Sequence, residues 1–199
     1  GFSKENVFLT GSARYAHVNS EPIFKSKEAP NKKINVLLVT SLDINTEIDM
    51  VEAAYCATKN LPQIRLYLRR HPFGPVETHA LFQKLKDRLT ITKAPLEEDL
   101  KLADLILFSY STVAEEAFIR GVPVWQWCGA NFNGSVFRDI GVVPKFSTVS
   151  GLEAGLRSFV QNPANYKPSE EAINKVIEAC FYKADGKVNV ILLLTIKKL

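Results

Sequence analysis

Residues 104–127, DLILFSYSTVAEEAFIRGVPVWQW, constrain the fold of this chain more than any other stretch. An apolar run at 105–108 reaches a hydroxyl-rich knot, Ser109-Tyr110-Ser111-Thr112. An amphipathic stretch follows, stops at Gly121, and a second apolar run begins at Val122. Apolar strand, polar turn, short helix, glycine and apolar strand make a βαβ unit. Its turn delivers hydroxyls and unpaired backbone N–H groups to a helix N-terminus, where the helix dipole also favours a phosphate. The same residues read equally as a capping box, Thr112 at the N-cap and Glu115 three residues on, which needs no ligand.

The rest of the chain alternates in the same way. Strands are expected at 34–40 (INVLLVT), 64–69, 89–92, 105–109, 122–126 and 142–146. The unbroken apolar run of the first marks a strand buried on both faces of a parallel sheet. Helices are expected at 46–59, with Asn45 as cap and Ile48, Val51, Ala54 and Tyr55 on one face; from Pro75 or Val76 to about Lys86; from Pro95; at 150–160; and at 169–182, capped by Ser169. Residues 187–199 read as strand by their β-branched content and as helix by position; helix is the expectation. Strands alternating with helices predict an α/β fold, a Rossmann-like, doubly wound parallel sheet of about six strands with helices on both faces. In the strand order 3-2-1-4-5-6 the first and fourth strands are neighbours where the winding reverses, and a crevice opens at their carboxyl ends. Thr40-Ser41, Ser109 and, one strand away, His71 would meet there.

Composition narrows the partners. A net charge of +4 with no basic cluster interleaved with aromatics argues against nucleic acid. Three scattered cysteines, Cys56, Cys128 and Cys180, fit neither a disulfide framework nor a zinc site and point to a reducing, cytoplasmic setting. The longest apolar run, 190–194, is far short of the roughly 20 residues of a membrane span. Gly1 opens the sequence and Met50 is internal, so an excised piece of a larger protein is expected. Polar, proline-bearing residues 20–33 make 1–33 the end of a preceding domain and its linker, with the compact domain at 34–199.

The candidate site residues follow from the crevice. Ser109, Ser111 and Thr112 offer hydroxyls and N–H groups to a phosphate. His71, fixed by Pro72, can donate to a phosphate oxygen, and Arg69 and Arg70 suit bidentate anion contacts. Glu115 or Glu116 can accept from ribose hydroxyls, although a helix N-terminus accommodates either without a ligand. Tyr110 and Ser41 complete the ribose and base side, while Trp125, Trp127, Phe132 and Phe137 are open to stacking or to core packing. His17 and His79 have no partner at useful spacing. The absence of GxGxxG, GxxxxGK[ST], HExxH and GxSxG argues against dehydrogenase, P-loop, zincin and serine-hydrolase chemistry. No DxD motif suggests a metal and no cofactor is expected.

The HP turn after the second strand, together with ADLILFSYSTVAEEAFIRGVPV, resembles the C-terminal, donor-binding half of GT-B glycosyltransferases. It is most similar to bacterial surface-polysaccharide enzymes with an HP motif and a Ser/Thr phosphate motif, including sialyltransferase-like, Kdo-transferase-like and polyol-phosphate transferases. LTGSARY similarly resembles the segment where such enzymes leave their N-terminal domain. The resemblance implies that His71, Ser109, Ser111 and Thr112 hold the donor's nucleotide phosphate and that Glu115 or Glu116 holds its ribose. It implies a nucleotide-sugar donor, a sugar or glycan acceptor, and an N-terminal domain of the same chain that carries the acceptor site and general base. This piece alone would then bind nucleotide without turnover. UDP-sugar enzymes of the family commonly pair two glutamates eight apart; the residue eight beyond Glu116 here is Val124. A nucleotide-sugar epimerase, a polyol-phosphate transferase, or a non-catalytic interaction domain would share the architecture.

Overall fold

The computed structural model describes residues 22–23, 33–73, 79–85, 87–129 and 135–181. Six strands, β1 (Ile34–Val39), β2 (Ile64–Arg69), β3 (Leu89–Ile91), β4 (Leu105–Phe108), β5 (Val124–Trp127) and β6 (Lys145–Phe146), form one sheet. Its order is β3-β2-β1-β4-β5-β6 and every pairing is parallel. The helices are α1 (Ile44–Thr58), α2 (Ala80–Leu85), α3 (Leu96–Leu102), α4 (Thr112–Ile119), α5 (Phe137–Ile140), α6 (Val149–Gln161) and α7 (Glu170–Val176), which runs on into a π turn at Ile177–Phe181. The expected α/β, doubly wound architecture and strand order are what the chain adopts.

Strand alternation divides the core into two layers. Val36 and Leu38 of β1, Leu105 and Leu107 of β4, and Trp125 and Trp127 of β5 join the layer that also takes α1, α2 and α6. Leu37 and Val39, Ile106 and Phe108, and Val124 join the opposite layer with α3, α4, α5 and α7. Both faces of β1 and β4 are therefore buried, which is why these strands read as unbroken apolar runs. β1 and β4 are also pinned at their amino ends: Asn35 N donates to Asp104 Oδ2 at 2.8 Å and Asn35 Nδ2 to Leu102 O at 3.1 Å.

Several expected boundaries move for local reasons. Asp43, not Asn45, caps α1, accepting from Asn45 N at 3.1 Å and from Thr46 Oγ1 at 2.7 Å. The cap falls two residues earlier because α1 begins at Ile44, which puts Asn45 inside the helix. α4 begins at Thr112 with Ser111 as N-cap, so the capping box that needs Thr112 outside the helix is not formed, and Ser111 makes no side-chain cap bond. Gly121 ends α4 as expected: φ is +81°, and Gly121 N and Val122 N return to Phe118 O and Ala117 O. The strand expected at 122–126 starts at Val124, because those two N–H groups are spent on the cap, and the sixth shortens to Lys145–Phe146. Ser169 caps α7 through Ala172 N at 3.2 Å. The linker and domain boundary expected within 1–33, and the helix expected at 187–199, lie almost entirely outside the described residues.

Candidate phosphate-binding crevice

The topological switch between β1 and β4 opens the predicted crevice at their carboxyl ends. It is a cavity of about 500 Å³ walled by Val39–Leu42 at the end of β1, Arg69–Pro72 at the end of β2, Tyr110–Val113 after β4, and Leu96 of α3. Seven of the expected site residues share this wall: Ser41, Arg69, Arg70, His71, Tyr110, Ser111 and Thr112.

Thr40 ties the first two segments together. Its Oγ1 accepts from His71 N at 2.8 Å and donates to Arg69 O at 3.2 Å. The half-exposed imidazole of His71 accepts from Phe73 N through Nδ1 at 3.3 Å, so the neutral ring carries its proton on Nε2. A donor therefore remains on the ring after the turn is satisfied. Asp43 links the other pair of segments, accepting from the Tyr110 hydroxyl as well as from Thr46 and Asn45. The Thr46 hydroxyl, followed by these other donors, holds the Asp43 carboxyl below its usual range against the opposing effect of burial.

The structure separates the remaining candidates from the wall. Ser109 is 5% exposed and lies behind the crevice, its carbonyl fixed by Gln126 Nε2 at 3.1 Å. Glu116 is buried and pairs with Arg120 at 3.6 Å, a structural use of its charge. Glu115 lies near Cys180 of the π turn, whose thiol burial pushes up to about 12 with the Glu115 charge adding to the rise. Arg69 is on the wall, but its Nη1 is spent on Asp99 Oδ2 at 2.5 Å and Ala94 O at 2.9 Å. Of the aromatics, Trp125, Trp127 and Phe137 are core residues, the last at 0% exposure, and Phe132 lies outside the described residues. Among the described residues no three His, Cys, Asp or Glu side chains gather as for a metal ion, and no helix is long and apolar enough to cross a membrane.

Sequence reasoning missed Glu47. It lies on the stripe of α1 formed by Glu47, Met50, Val51, Ala54 and Thr58, so an acid at the head of an i, i+3, i+4 apolar series was the available signal. Only 2% exposed, its carboxyl is pushed up to about 7 by burial. Hydrogen bonds from the Thr40 side chain and Ser41 backbone oppose the rise, and the nearby Asp43 charge adds to it. A folded-state value above the unfolded one gives a stability contribution that is complete below about pH 4.5 and lost as pH rises through about 7. Glu47→Gln is thus expected to be near wild type at pH 5 and more stable at pH 8, by on the order of 2 kcal/mol. Urea unfolding at the two pH values reads this directly; an unchanged difference between variant and wild type at both would refute it.

No protein-family model matches the chain, and no curated protein matches it in sequence. Solved structures do match its fold. The S. aureus MnaA–UDP co-structure superposes with a TM-score of 0.63 at 14% identity, over 100% of this chain and 54% of that one. TarM gives 0.58 at 12% identity over 88% of this chain. The C-terminal domain of a glycosyl transferase group 1 family protein (LpcC) from Francisella tularensis gives 0.56 at 12% identity, over 81% of this chain and 97% of that domain. The chain spans 36% of the length of TarM and 44% of the wall teichoic acid polymerase TagF.

Proposed function

We propose that this chain is the nucleotide-sugar donor-binding domain of a GT-B glycosyltransferase serving bacterial surface polysaccharide or glycoconjugate synthesis. The observation that carries this reading is the meeting of His71, Ser111, Thr112 and the N-terminus of α4 on one cavity wall. Its chemistry is that of an anion site: the His71 Nε2–H, two hydroxyls, and N–H groups at the start of α4 that no side-chain cap occupies. Arg70 adds charge, and Ser41 and Tyr110 face the sugar and base side. Such donors would stabilise the nucleotide phosphate as it departs from the sugar. The acceptor and general base would come from an N-terminal domain, and this chain alone would bind nucleotide without turning it over. Fold neighbours that include TarM, TagF and LpcC support a transferase, and TagF was solved with CDPG.

An epimerase is the second reading, favoured by a putative UDP-N-acetylglucosamine 2-epimerase from Listeria monocytogenes that covers 99% of this chain. An intact protein that releases a free sugar epimer without an acceptor would decide for it.

A thermal-shift screen against CMP, UDP, GDP, ADP and their sugars tests the reading. At least one nucleotide is expected to stabilise the chain, and failure of all at millimolar concentration would leave a non-catalytic interaction domain. His71→Ala is expected to weaken the nucleotide that binds by about tenfold or more, roughly 1.4 kcal/mol. Equal affinity of variant and wild type in calorimetry would remove His71 from the site.

A further inference from the structure

Glu47 stands one residue behind the crevice wall. Its Oε1 is buried without a hydrogen-bond partner, while Thr40 and Ser41, the residues it does meet, follow β1 directly and line the cavity. Among the described residues it has no cation partner. Asp43, before α1, is the charge acting on it and has the same sign. On the neighbouring elements, Arg69 is paired with Asp99, Asp49 accepts from Trp127 Nε1 at 2.6 Å, and Arg157 and Glu153 of α6 pair with each other. His71 connects to it across Thr40, and Arg70 lies on the same cavity wall as Thr40.

Thr40 has one hydroxyl hydrogen and two claimants for it, Arg69 O at 3.2 Å and the Glu47 carboxyl, while its oxygen already holds His71 N. An ionised Glu47 is the stronger acceptor and draws the hydrogen away from Arg69 O. A protonated Glu47 leaves it on Arg69 O, the carbonyl that ends β2 two residues before His71. A phosphate entering the cavity would add negative charge on the far side of Thr40 and Ser41, which disfavours the carboxylate and favours the acid.

We infer that Glu47 is a positioning residue for this crevice, acting through Thr40 on the His71-Pro72 turn, and that a phosphate-bearing ligand drives uptake of one proton from solvent onto its carboxylate. The inference rests on the nucleotide-phosphate reading above. The proton comes from bulk water and ends on a Glu47 oxygen; no other bond changes. The histidine ring and the phosphate itself can also exchange protons on binding, so the readout must be the difference that Glu47 makes.

The test is calorimetry of the chain with UDP and CMP in two buffers of different ionisation enthalpy, from pH 6 to 8.5. Wild type is expected to take up a larger fraction of a proton per nucleotide than Glu47→Gln above pH 7. Its affinity relative to the variant is expected to fall by up to about tenfold per pH unit there. Carboxyl NMR of wild type labelled at glutamate gives a measurement that does not depend on the variant folding: the Glu47 resonance should titrate at higher pH with UDP bound than without. Equal proton uptake by the two proteins, or a Glu47 titration unmoved by bound nucleotide, overturns the inference and leaves the nucleotide reading intact. A flat calorimetric trace with UDP and CMP, together with failure of every nucleotide and sugar nucleotide in the thermal-shift screen, overturns both.

Discussion

Arg69→Met is expected to lower the unfolding free energy by about 3–5 kcal/mol, the usual cost of stranding one member of a buried ion pair. Asp99 is 2% exposed and its charge is met by Arg69 Nη1 at 2.5 Å, with Thr92 Oγ1 donating to the other oxygen at 2.7 Å. Methionine keeps most of the aliphatic stem but leaves the carboxylate in the interior with one neutral donor. Adding Asp99→Leu is expected to recover much of the loss, because the cost lies in the unpaired charge and not in the missing contact. Denaturant melts of the three proteins check this. The same experiment separates two uses of Arg69, since a guanidinium occupied by Asp99 and Ala94 O has little to offer a ligand. The folded fraction of Arg69→Met should keep its nucleotide affinity far better than His71→Ala does. A variant of normal stability that no longer binds nucleotide would return Arg69 to the phosphate site.

Phe137→Ala is the second large effect, with an expected loss of about 3–5 kcal/mol from a fully buried aromatic. The ring has no exposure and lies 5.4 Å, centroid to centroid, from both Phe108 and Phe118. It is the residue by which the one-turn helix α5 is held to β4 and α4. Nucleotide affinity of the folded variant is expected to match wild type. Reduced affinity with an unchanged melting temperature would instead make the ring a stacking surface for the base.

The parts of the molecule legible in the sequence were those set by one-dimensional patterns. Runs such as INVLLV and LILF can be satisfied only between two helical layers, and once six strands alternate with helices, connection rules leave few strand orders. The meeting of His71 with Ser111 and Thr112 followed from that order alone. What escaped depends on which way a side chain turns. Ser109 and Tyr110 are adjacent, yet the bend that follows β4 buries one and gives the other to the cavity. Arg69 and Arg70 look alike as letters, and only the fold shows Asp99 beside the first. Glu116 pairs with Arg120, the residue one turn along α4, a spacing as available in the sequence as a ribose contact. Glu47 escaped because an acid near a helix start is ordinarily a surface residue favoured by the dipole. Here the helix turns that position onto the sheet.

The seam between β1 and β4 joins residues nearly seventy places apart, as the Asn35–Asp104 bond records. One bank of the cavity is made by the first half of the chain and the other by the second. Neither half therefore owns a usable binding surface while it folds, and long-range closure of this kind comes late and cooperatively. Loosening the seam would part the two banks of the cavity, so under the proposed reading bound nucleotide would report completed assembly.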